Sequence, residues 1–391
     1  MEADRLDPET KRRLLARPVE HIDVTAFDGR AVVDSYRNSA FQARNLAEAA
    51  DIFAEMVEEP GGAVMLTLAG SLVSAGLKEA LLALVECDMV DVIVATGAIV
   101  VDQDFFEALG FRHYMAPGSP EAPVVGDEEL NRLEIDRIYD TYVDEAELRV
   151  CDETVAGVLD GMVGGGDGGW GGGGGVGAER AWSSREVVRE MGAYLERHHG
   201  DARSIVLEAY RREVPVFVPA LSDSSAGFGV VSHRVRALAK GLPHVAFDSG
   251  KDFHELAMIK LAAAETGLLM VGGGVPKNFA QDAVVAARML AEGEDESDGH
   301  VPMHKYAVQL TVADVRDGGL SGSTLREAAS WGKVATARER MVYGEATLTL
   351  PLLVSDAYHR GIWRGRAARR LGALFAAESA HECMTTRTNP A

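Results

Sequence analysis

Short aliphatic runs alternate with segments of helical periodicity along most of the chain, and this alternation constrains the fold more than any other feature. Five runs are typical of buried strands: 63–68, 90–95, 214–221, 267–271 and 304–313. Helical spacing of apolar residues fills the segments 38–57, 184–196, 204–212, 253–265, 278–290, 324–331 and 350–370, and a further helix ends at 86. Strands without polar alternation belong to sheets covered on both faces. The pattern therefore predicts an α/β protein with a mainly parallel sheet between two layers of helices.

The same pattern suggests how the chain is organised into regions. A charged N-terminal arm spans residues 1–35, a single α/β domain spans 36–375, and 376–391 form a C-terminal tail. Between Gly161 and Gly177, twelve of seventeen residues are glycine. Such a segment buries too little apolar surface to offset the entropy of ordering it, so we interpret it as a disordered surface insertion.

Charge and composition exclude several classes of partner. A formal net charge of −21 repels phosphate backbones, which argues against nucleic acid and would favour cations such as small polyamines, although an acidic surface also serves solubility alone. The three cysteines form no CxxC pair, which predicts reduced thiols in a cytoplasmic protein: Cys87, Cys151 and Cys383. No run of 18 apolar residues predicts a membrane span, and the dispersed histidines predict no metal site.

Four segments rich in Gly, Ser, Thr or Asp follow predicted strands. They are Ala69–Ser74, Thr96–Asp104, Ser222–Gly229 and Gly272–Asn278. Because ligands bind beyond the carboxyl ends of parallel strands, four such loops together indicate a nucleotide-sized ligand. The glycines at 272–274 would let the backbone approach an anion at a helix start, or serve the turn alone. Asp223 could accept a ribose hydroxyl or cap a turn.

The segment STLREAASWGKV, residues 323–334, carries the residues most suggestive of chemistry. Ser323 or Thr324 can cap a short helix that ends at Gly332. Glu327 and Trp331 then share one helix face, with Lys333 just beyond it. A carboxylate and an indole attract an ammonium group, and a desolvated lysine can form a Schiff base. A surface helix with a half-buried tryptophan and a solvated lysine is the alternative interpretation.

Six segments taken together resemble deoxyhypusine synthase. They are LAGSLVSAGLKEAL (68–81), MVDVIVATGA (89–98), VPVFVPALSD (214–223), GLLMVGGGVPK (267–277), AASWGKV (328–334) and VYGEATLTLPLLV (342–354). They follow in the family's order at similar separations. The resemblance implies a doubly wound α/β fold with a Rossmann-like NAD site, assembled as a homotetramer with active sites at dimer interfaces. It also implies that NAD oxidises a polyamine, normally spermidine, whose aminobutyl group passes through a lysine imine to an acceptor amine before NADH reduces the new imine.

The resemblance assigns roles to particular positions. It implies that Lys333 forms the imine and that Trp331 and Glu327 line the amine channel. It implies that these residues hold NAD: Ser71, Leu72, Val73, Ser74, Ala75, Thr96, Gly97, Ala98, Asp102, Asp223, Gly273, Glu345 and Ala346. The family commonly has Glu where Asp102 stands and Asp where Glu345 stands.

Other positions depart from the family pattern. The family's catalytic histidine is Asn278 here, and an asparagine in the same helix is Asp282, which we expect to contact substrate. Two acidic substrate contacts are replaced by Phe228 and Leu320. An unpaired cation beside Phe228 would be penalised, and Asn278 cannot shuttle a proton near neutral pH.

These departures favour the divergent deoxyhypusine synthase-like proteins. The first hypothesis is an NAD-dependent aminoalkyl transferase that acts on a polyamine or a related small amine. The second is an authentic deoxyhypusine synthase that modifies a lysine of a translation factor. The third is a non-catalytic NAD-binding protein.

Overall fold

A computed structural model describes residues 8–119, 122–163, 181–292 and 300–375. Its strands are β1 (Gly62–Leu68), β2 (Val92–Ala95), β3 (Tyr114–Met115), β4 (Gly118–Ser119), β5 (Ala122–Pro123), β6 (Ile135–Ile138), β7 (Thr141–Asp144), β8 (Ala181–Trp182), β9 (Val216–Phe217), β10 (Ala246–Phe247), β11 (Glu265–Val271), β12 (Tyr306–Thr311) and β13 (Glu339–Tyr343). Its helices are α1 (Pro8–Leu14), α2 (Arg30–Tyr36), α3 (Phe41–Glu58), α4 (Lys78–Glu86), α5 (Phe106–Ala108), α6 (Asp127–Arg132), α7 (Glu145–Val163), α8 (Ser184–His198), α9 (Ile205–Arg211), α10 (Ser225–Lys240), α11 (Ser249–Ala262), α12 (Gly274–Glu292), α13 (Leu325–Ser330) and α14 (Ala346–Arg360).

Six parallel strands form the central sheet in the order β13-β12-β11-β1-β2-β9. Alternate residues of β1 enter two different hydrophobic cores, because successive side chains of a strand point to opposite faces. Val64 and Leu66 pack into one core, and Ala63 and Met65 pack into the other. The predicted α/β fold with helices on both faces is therefore confirmed.

Strand order reverses between β1 and β11. The chain builds outward from β1 through β2 to β9, and outward in the other direction from β11 through β12 to β13. The connections leaving β1 and β11 therefore run apart and leave a crevice at the carboxyl edge, which is where sheets of this kind bind ligands.

Three predictions about local structure need correction. The last helix was expected over 350–370, but α14 runs from Ala346 to Arg360 and ends at Gly361, whose φ of 71° breaks the helix. The segment Thr96–Asp104 was expected to be a loop, but Ala98–Phe105 is a π-helix. Ser222–Gly229 and Gly272–Asn278 are largely the first turns of α10 and α12, because the strand-to-helix connections are short.

The N-terminal residues also differ from the expected arm. Leu14, Val24 and Val33 are buried, and the backbone of Ile22 donates a hydrogen bond to the carbonyl of Gly76. Residues 8–35 are therefore part of the folded body. Of the glycine-rich insertion, 161–163 end α7, whereas 164–177 and the tail 376–391 lie outside the described residues. Nowhere in the described ranges does a helix have the length and apolar character needed to cross a bilayer.

Candidate active site

A cleft of about 470 Å³ lies at the switch point of the sheet. Its walls are the connections after β1, β11, β12 and β13, together with the tip of the β6–β7 hairpin. Seven of the residues that the family resemblance assigns to NAD line it: Ser71, Leu72, Ser74, Ala75, Gly273, Glu345 and Ala346. Its size and position are those of a small-molecule site.

The glycine turn after β11 has no room for side chains at its first two positions. Gly272 has a φ of 78°, and a Cβ atom there would lie 2.8 Å from the carbonyl oxygen of Ala69. A Cβ atom on Gly273 would lie 2.6 Å from the Cα atom of Ser321. The turn therefore brings bare backbone to the cleft and leads directly into the N-terminus of α12, where free N–H groups favour an anion.

A second helix begins at the same cleft. Glu345 caps α14 by accepting hydrogen bonds from the backbone N–H of Thr347, at 2.8 Å, and from its hydroxyl. The turn that leads into α12 and the first residues of α14 thus both line the cleft. These features fit a dinucleotide whose pyrophosphate is held by backbone N–H groups.

A second group of residues surrounds the side chain of Lys333. Its Nζ atom lies 2.6 Å from Oδ1 of Asp282 and 3.2 Å from Oδ1 of Asn278. Asn278 Nδ2 in turn donates to Asp282 Oδ2 at 2.8 Å, which closes a three-membered polar cluster. The Trp331 ring, 68% exposed, has its centroid 5.4 Å from Nζ. The lysine side chain is only 11% exposed, so its ammonium group is held rather than solvated.

The backbone around Lys333 is fixed on both sides. Thr324 caps α13 by accepting from Glu327 N–H at 3.0 Å, and Gly332, with φ 69°, ends the helix. His304 N–H then donates to the Lys333 carbonyl at 2.9 Å. Burial lowers the pKa of His304 to about 3, so its ring is neutral. Its Nε2 atom faces the carbonyl of Ala280 at 3.0 Å, which ties the Lys333 segment to α12.

Lys277 was not singled out in the sequence, although it ends the GGGVPK segment. It is fully buried, and burial lowers its pKa to about 8. Its Nζ atom donates to the carbonyl and, at 3.1 Å, to the hydroxyl of Ser323. Lys277 therefore holds the loop that precedes α13, and with it Glu327. The sequence signal that could have identified Lys277 is the position of a lysine within an otherwise apolar helix start.

The remaining residues assigned to NAD lie outside the cleft walls. Asp102 sits in the π-helix, accepts from Ser225 N–H at 2.7 Å, and has its pKa raised to about 6 by burial. Gly97 packs against Ser224, and the Thr96 hydroxyl is buried without a hydrogen-bond partner in the described chain. Val73 is buried, and Ala98 begins the π-helix. Asp223 is exposed.

The two apolar replacements are also exposed. Phe228 lies on the outer face of α10, and Leu320 lies in the loop before α13. Within the described ranges, neither side chain forms a hydrogen bond, an ion pair or a ring contact with Lys333. No group of three or more His, Cys, Asp or Glu side chains in the described ranges is arranged to hold a metal ion.

Fold and site together define a doubly wound α/β protein that has a cleft at the switch point of its sheet and a lysine–carboxylate cluster on α12 and the segment after α13. The chain belongs to the deoxyhypusine synthase family, whose model, "DS: Deoxyhypusine synthase", matches residues 31–357. It is 49% identical over 375 residues to a deoxyhypusine synthase-like protein of Coxiella burnetii, covering 95% of this chain and 97% of that one. It is 50% identical over 368 residues to a protein of the same name in Chlorobaculum tepidum, covering 94% and 97%.

Two further comparisons are more distant. A Methanosarcina mazei protein named probable deoxyhypusine synthase 2 is 36% identical over 359 residues, covering 92% of this chain and 93% of that one. A crystal structure from Entamoeba histolytica, assigned as a deoxyhypusine synthase, superposes with a TM-score of 0.55 at 16% identity, covering 87% and 97%. This last likeness concerns the fold alone. Family membership supports transferase chemistry of the aminobutyl type, in a family that is generally NAD-dependent.

Proposed function

We propose that the chain is an NAD-dependent aminoalkyl transferase that acts on a polyamine or related small amine through a covalent imine on Lys333. The main support for this proposal is the Lys333 cluster, in which a mostly buried lysine amine lies beside a carboxylate, an amide and an indole face. A solvated surface lysine would have no such surroundings. The high identity to proteins named deoxyhypusine synthase-like supports transferase chemistry of the aminobutyl type.

In the proposed reaction the Lys333 amine adds to the C=N bond of an oxidised amine. The former amine leaves as its nitrogen takes up a proton, and a new C=N bond to Nζ remains. An acceptor amine then displaces Lys333 in the same way. Lys333 must lose a proton before it can attack, and the Asp282 carboxylate, 2.6 Å away, is placed to receive it. Asn278 holds both partners in position but cannot itself carry the proton.

The other residues around the lysine would bind and orient the amine. The Trp331 face attracts a cation, and the Glu327 carboxylate offers a partner to a distal ammonium group. Lys277 would hold the Ser323 loop so that Glu327 keeps its place. NAD, when bound, would supply the hydride acceptor and donor. The residues that would hold it are the glycine turn, Ser71–Ala75 and the helix starts at Gly274 and Ala346.

We further propose a cytoplasmic homotetramer with active sites at dimer interfaces. The exposed residues of α10 support an assembly, because four apolar side chains follow one another at heptad spacing: Phe228, Val231, Val235 and Leu238. This stripe begins three residues after Ser225, which holds Asp102. A partner packed along α10 would therefore also cover the Asp102 group.

The test is to incubate the purified protein with NAD and candidate amines, add borohydride, and determine the intact mass. Spermidine, putrescine, agmatine and their homologues are the candidates. We expect a covalent adduct whose mass identifies the transferred group. Lys333→Arg should abolish the adduct while retaining NAD binding, because guanidinium can still pair with Asp282 but cannot form the imine. Lys305→Ala, at a lysine that pairs with Glu59, is the control that should keep the adduct.

The outcomes separate the three functions. Transfer from the adduct to a free amine would support the proposal, and transfer only to a lysine of a translation factor would establish the authentic synthase. Measurable NAD binding without any adduct would favour the non-catalytic protein.

A further inference from the structure

The tip of the β6–β7 hairpin forms a wall of the cleft that no sequence pattern indicated. Ile138, Tyr139, Asp140 and Thr141 face the cleft from across the carboxyl edge of the sheet. The tip is the turn between the two strands, and β7 also pairs with β3. The hairpin thus contributes to the cleft without belonging to the central sheet.

This hairpin tip is fixed in position. Ala116 N–H donates to the Asp140 carbonyl at 2.8 Å, and Arg137 Nη1 donates to the Tyr139 carbonyl at 2.9 Å. Arg137 is itself held by two hydrogen bonds to the Asp127 carboxylate, at 2.6 and 2.8 Å. Tyr139 has a φ of 54°, a conformation that a bulky residue adopts only where its surroundings impose it. Its side chain is 68% exposed beside the cleft.

The charges along the cleft are all negative. Among its described lining residues, Asp140 and Glu345 carry charge, and none is Lys, Arg or His. The Glu345 carboxylate is occupied in capping α14. The Asp140 carboxylate makes no hydrogen bond or ion pair with any residue in the described ranges, and Asp140 is an exposed residue of the cleft wall.

An unpaired carboxylate on a rigid wall accepts hydroxyl hydrogens and repels phosphate. A ribose diol is neutral and donates two hydrogen bonds, whereas a 2′-phosphate beside Asp140 would face a negative charge with no neighbouring cation. The pyrophosphate group, unlike a 2′-phosphate, would meet N–H donors, which the helix starts and the glycine turn supply.

We propose that Asp140 accepts the ribose hydroxyls of the dinucleotide, with the Tyr139 ring packed against the same nucleoside, and so makes the cleft select NAD over NADP. The inference rests on the proposed function, since it requires that the cleft bind a dinucleotide. In a Rossmann fold the residue that distinguishes NAD from NADP ordinarily follows the second strand. Here a residue of the β6–β7 hairpin would have that role.

Direct binding measured by calorimetry tests this proposal without relying on turnover. The ligands are NAD and NADP, and the proteins are wild type, Asp140→Asn and Asp140→Arg. Wild type should bind NAD at least about 100-fold more tightly than NADP. Asp140→Asn should weaken NAD binding about tenfold by removing a charge-assisted hydrogen bond. It should also bring the affinities for NAD and NADP closer together. Asp140→Arg should shift the preference towards NADP.

The control is Asp136→Asn, which neutralises a carboxylate on the same hairpin that does not line the cleft. It should leave both affinities unchanged. If wild type binds NAD but the Asp140 variants keep its NAD to NADP ratio, the role of Asp140 is refuted and the proposed function stands. If wild type binds neither dinucleotide, both proposals fail together.

Discussion

At the scale of single residues, the buried carboxyl group of Asp252 supports the sheet rather than the site. Asp252 on α11 accepts hydrogen bonds from the Ser184 backbone N–H, at 2.8 Å, and from its hydroxyl, at 2.9 Å. The same hydroxyl accepts from Val218 N–H at 2.7 Å, just beyond β9. Asp252 thus joins α11, α8 and the edge of the sheet. Burial raises its pKa from 3.8 to about 7.

The raised pKa of Asp252 predicts a pH dependence of stability. Because the folded pKa exceeds the unfolded value, the contribution of the protonated group is fully present below pH 3.8 and is lost as the pH rises through about 7. Asp252→Asn should remove this loss, which amounts to at most roughly 1.4 kcal/mol per pH unit. Urea unfolding at pH 5 and pH 8 should show the variant gaining free energy of unfolding relative to wild type at the higher pH.

Asp201→Asn, at an exposed aspartate, is the control and should not change with pH relative to wild type. If the difference in free energy of unfolding between wild type and Asp252→Asn were the same at both pH values, the assignment would be contradicted.

At the scale of elements, the turn between β11 and α12 is the most constrained connection at the cleft. Gly272→Ala would combine a left-handed backbone with a Cβ atom 2.8 Å from the Ala69 carbonyl oxygen, which cannot move without disturbing β1. Gly318 has a similar φ of 69° but open space around its Cβ position. We expect Gly318→Ala to cost about 1 kcal/mol, the strain alone, and Gly272→Ala to cost clearly more and to abolish NAD binding.

Urea unfolding and NAD calorimetry on both variants measure these effects. Equal losses of stability in the two variants, with NAD binding retained in both, would show that the close approach to Ala69 is unimportant.

The long aliphatic elements were predictable from the sequence, whereas the short and polar ones were not. Runs such as AVMLTL and GLLMV consist almost entirely of apolar residues, because both faces of the sheet are covered. Strands β6 (IDRI) and β7 (TYVD) carry charges and span four residues each, so their pattern resembles a loop. The hairpin wall of the cleft was therefore missed, and Asp140 with it.

The sequence was likewise only partly informative about the residues around Lys333. Local spacing grouped Glu327, Trp331 and Lys333, because they lie within one turn and its end. It could not show that Asn278, fifty-five residues earlier, would reach Lys333, since that contact depends on how α12 packs. Asn278 and Asp282 entered through the family resemblance alone. Lys277 was missed because a lysine is ordinarily solvated, and only the packed structure reveals its burial.

At the scale of the whole molecule, the outer face of α10 is exposed and apolar within the described ranges. The buried face of α10 packs on α7, where Gly229 lies against Val155 and the carbonyl of Asp152. The opposite face is the apolar stripe of α10, defined above, and its heptad spacing is typical of a helix that packs on another helix. Four exposed apolar side chains in a continuous row are unusual for a surface that meets only water.

If this stripe joins subunits, a charge within it should separate them. We expect Leu238→Glu combined with Val231→Glu to lower the mass measured by sedimentation velocity from that of an assembly towards that of a single chain, because two carboxylates would be buried unpaired. Val150→Glu, at an exposed but isolated valine on α7, is the matched control and should leave the mass unchanged. A wild-type protein that sediments as a single chain, or a double variant that stays assembled, would exclude the α10 interface.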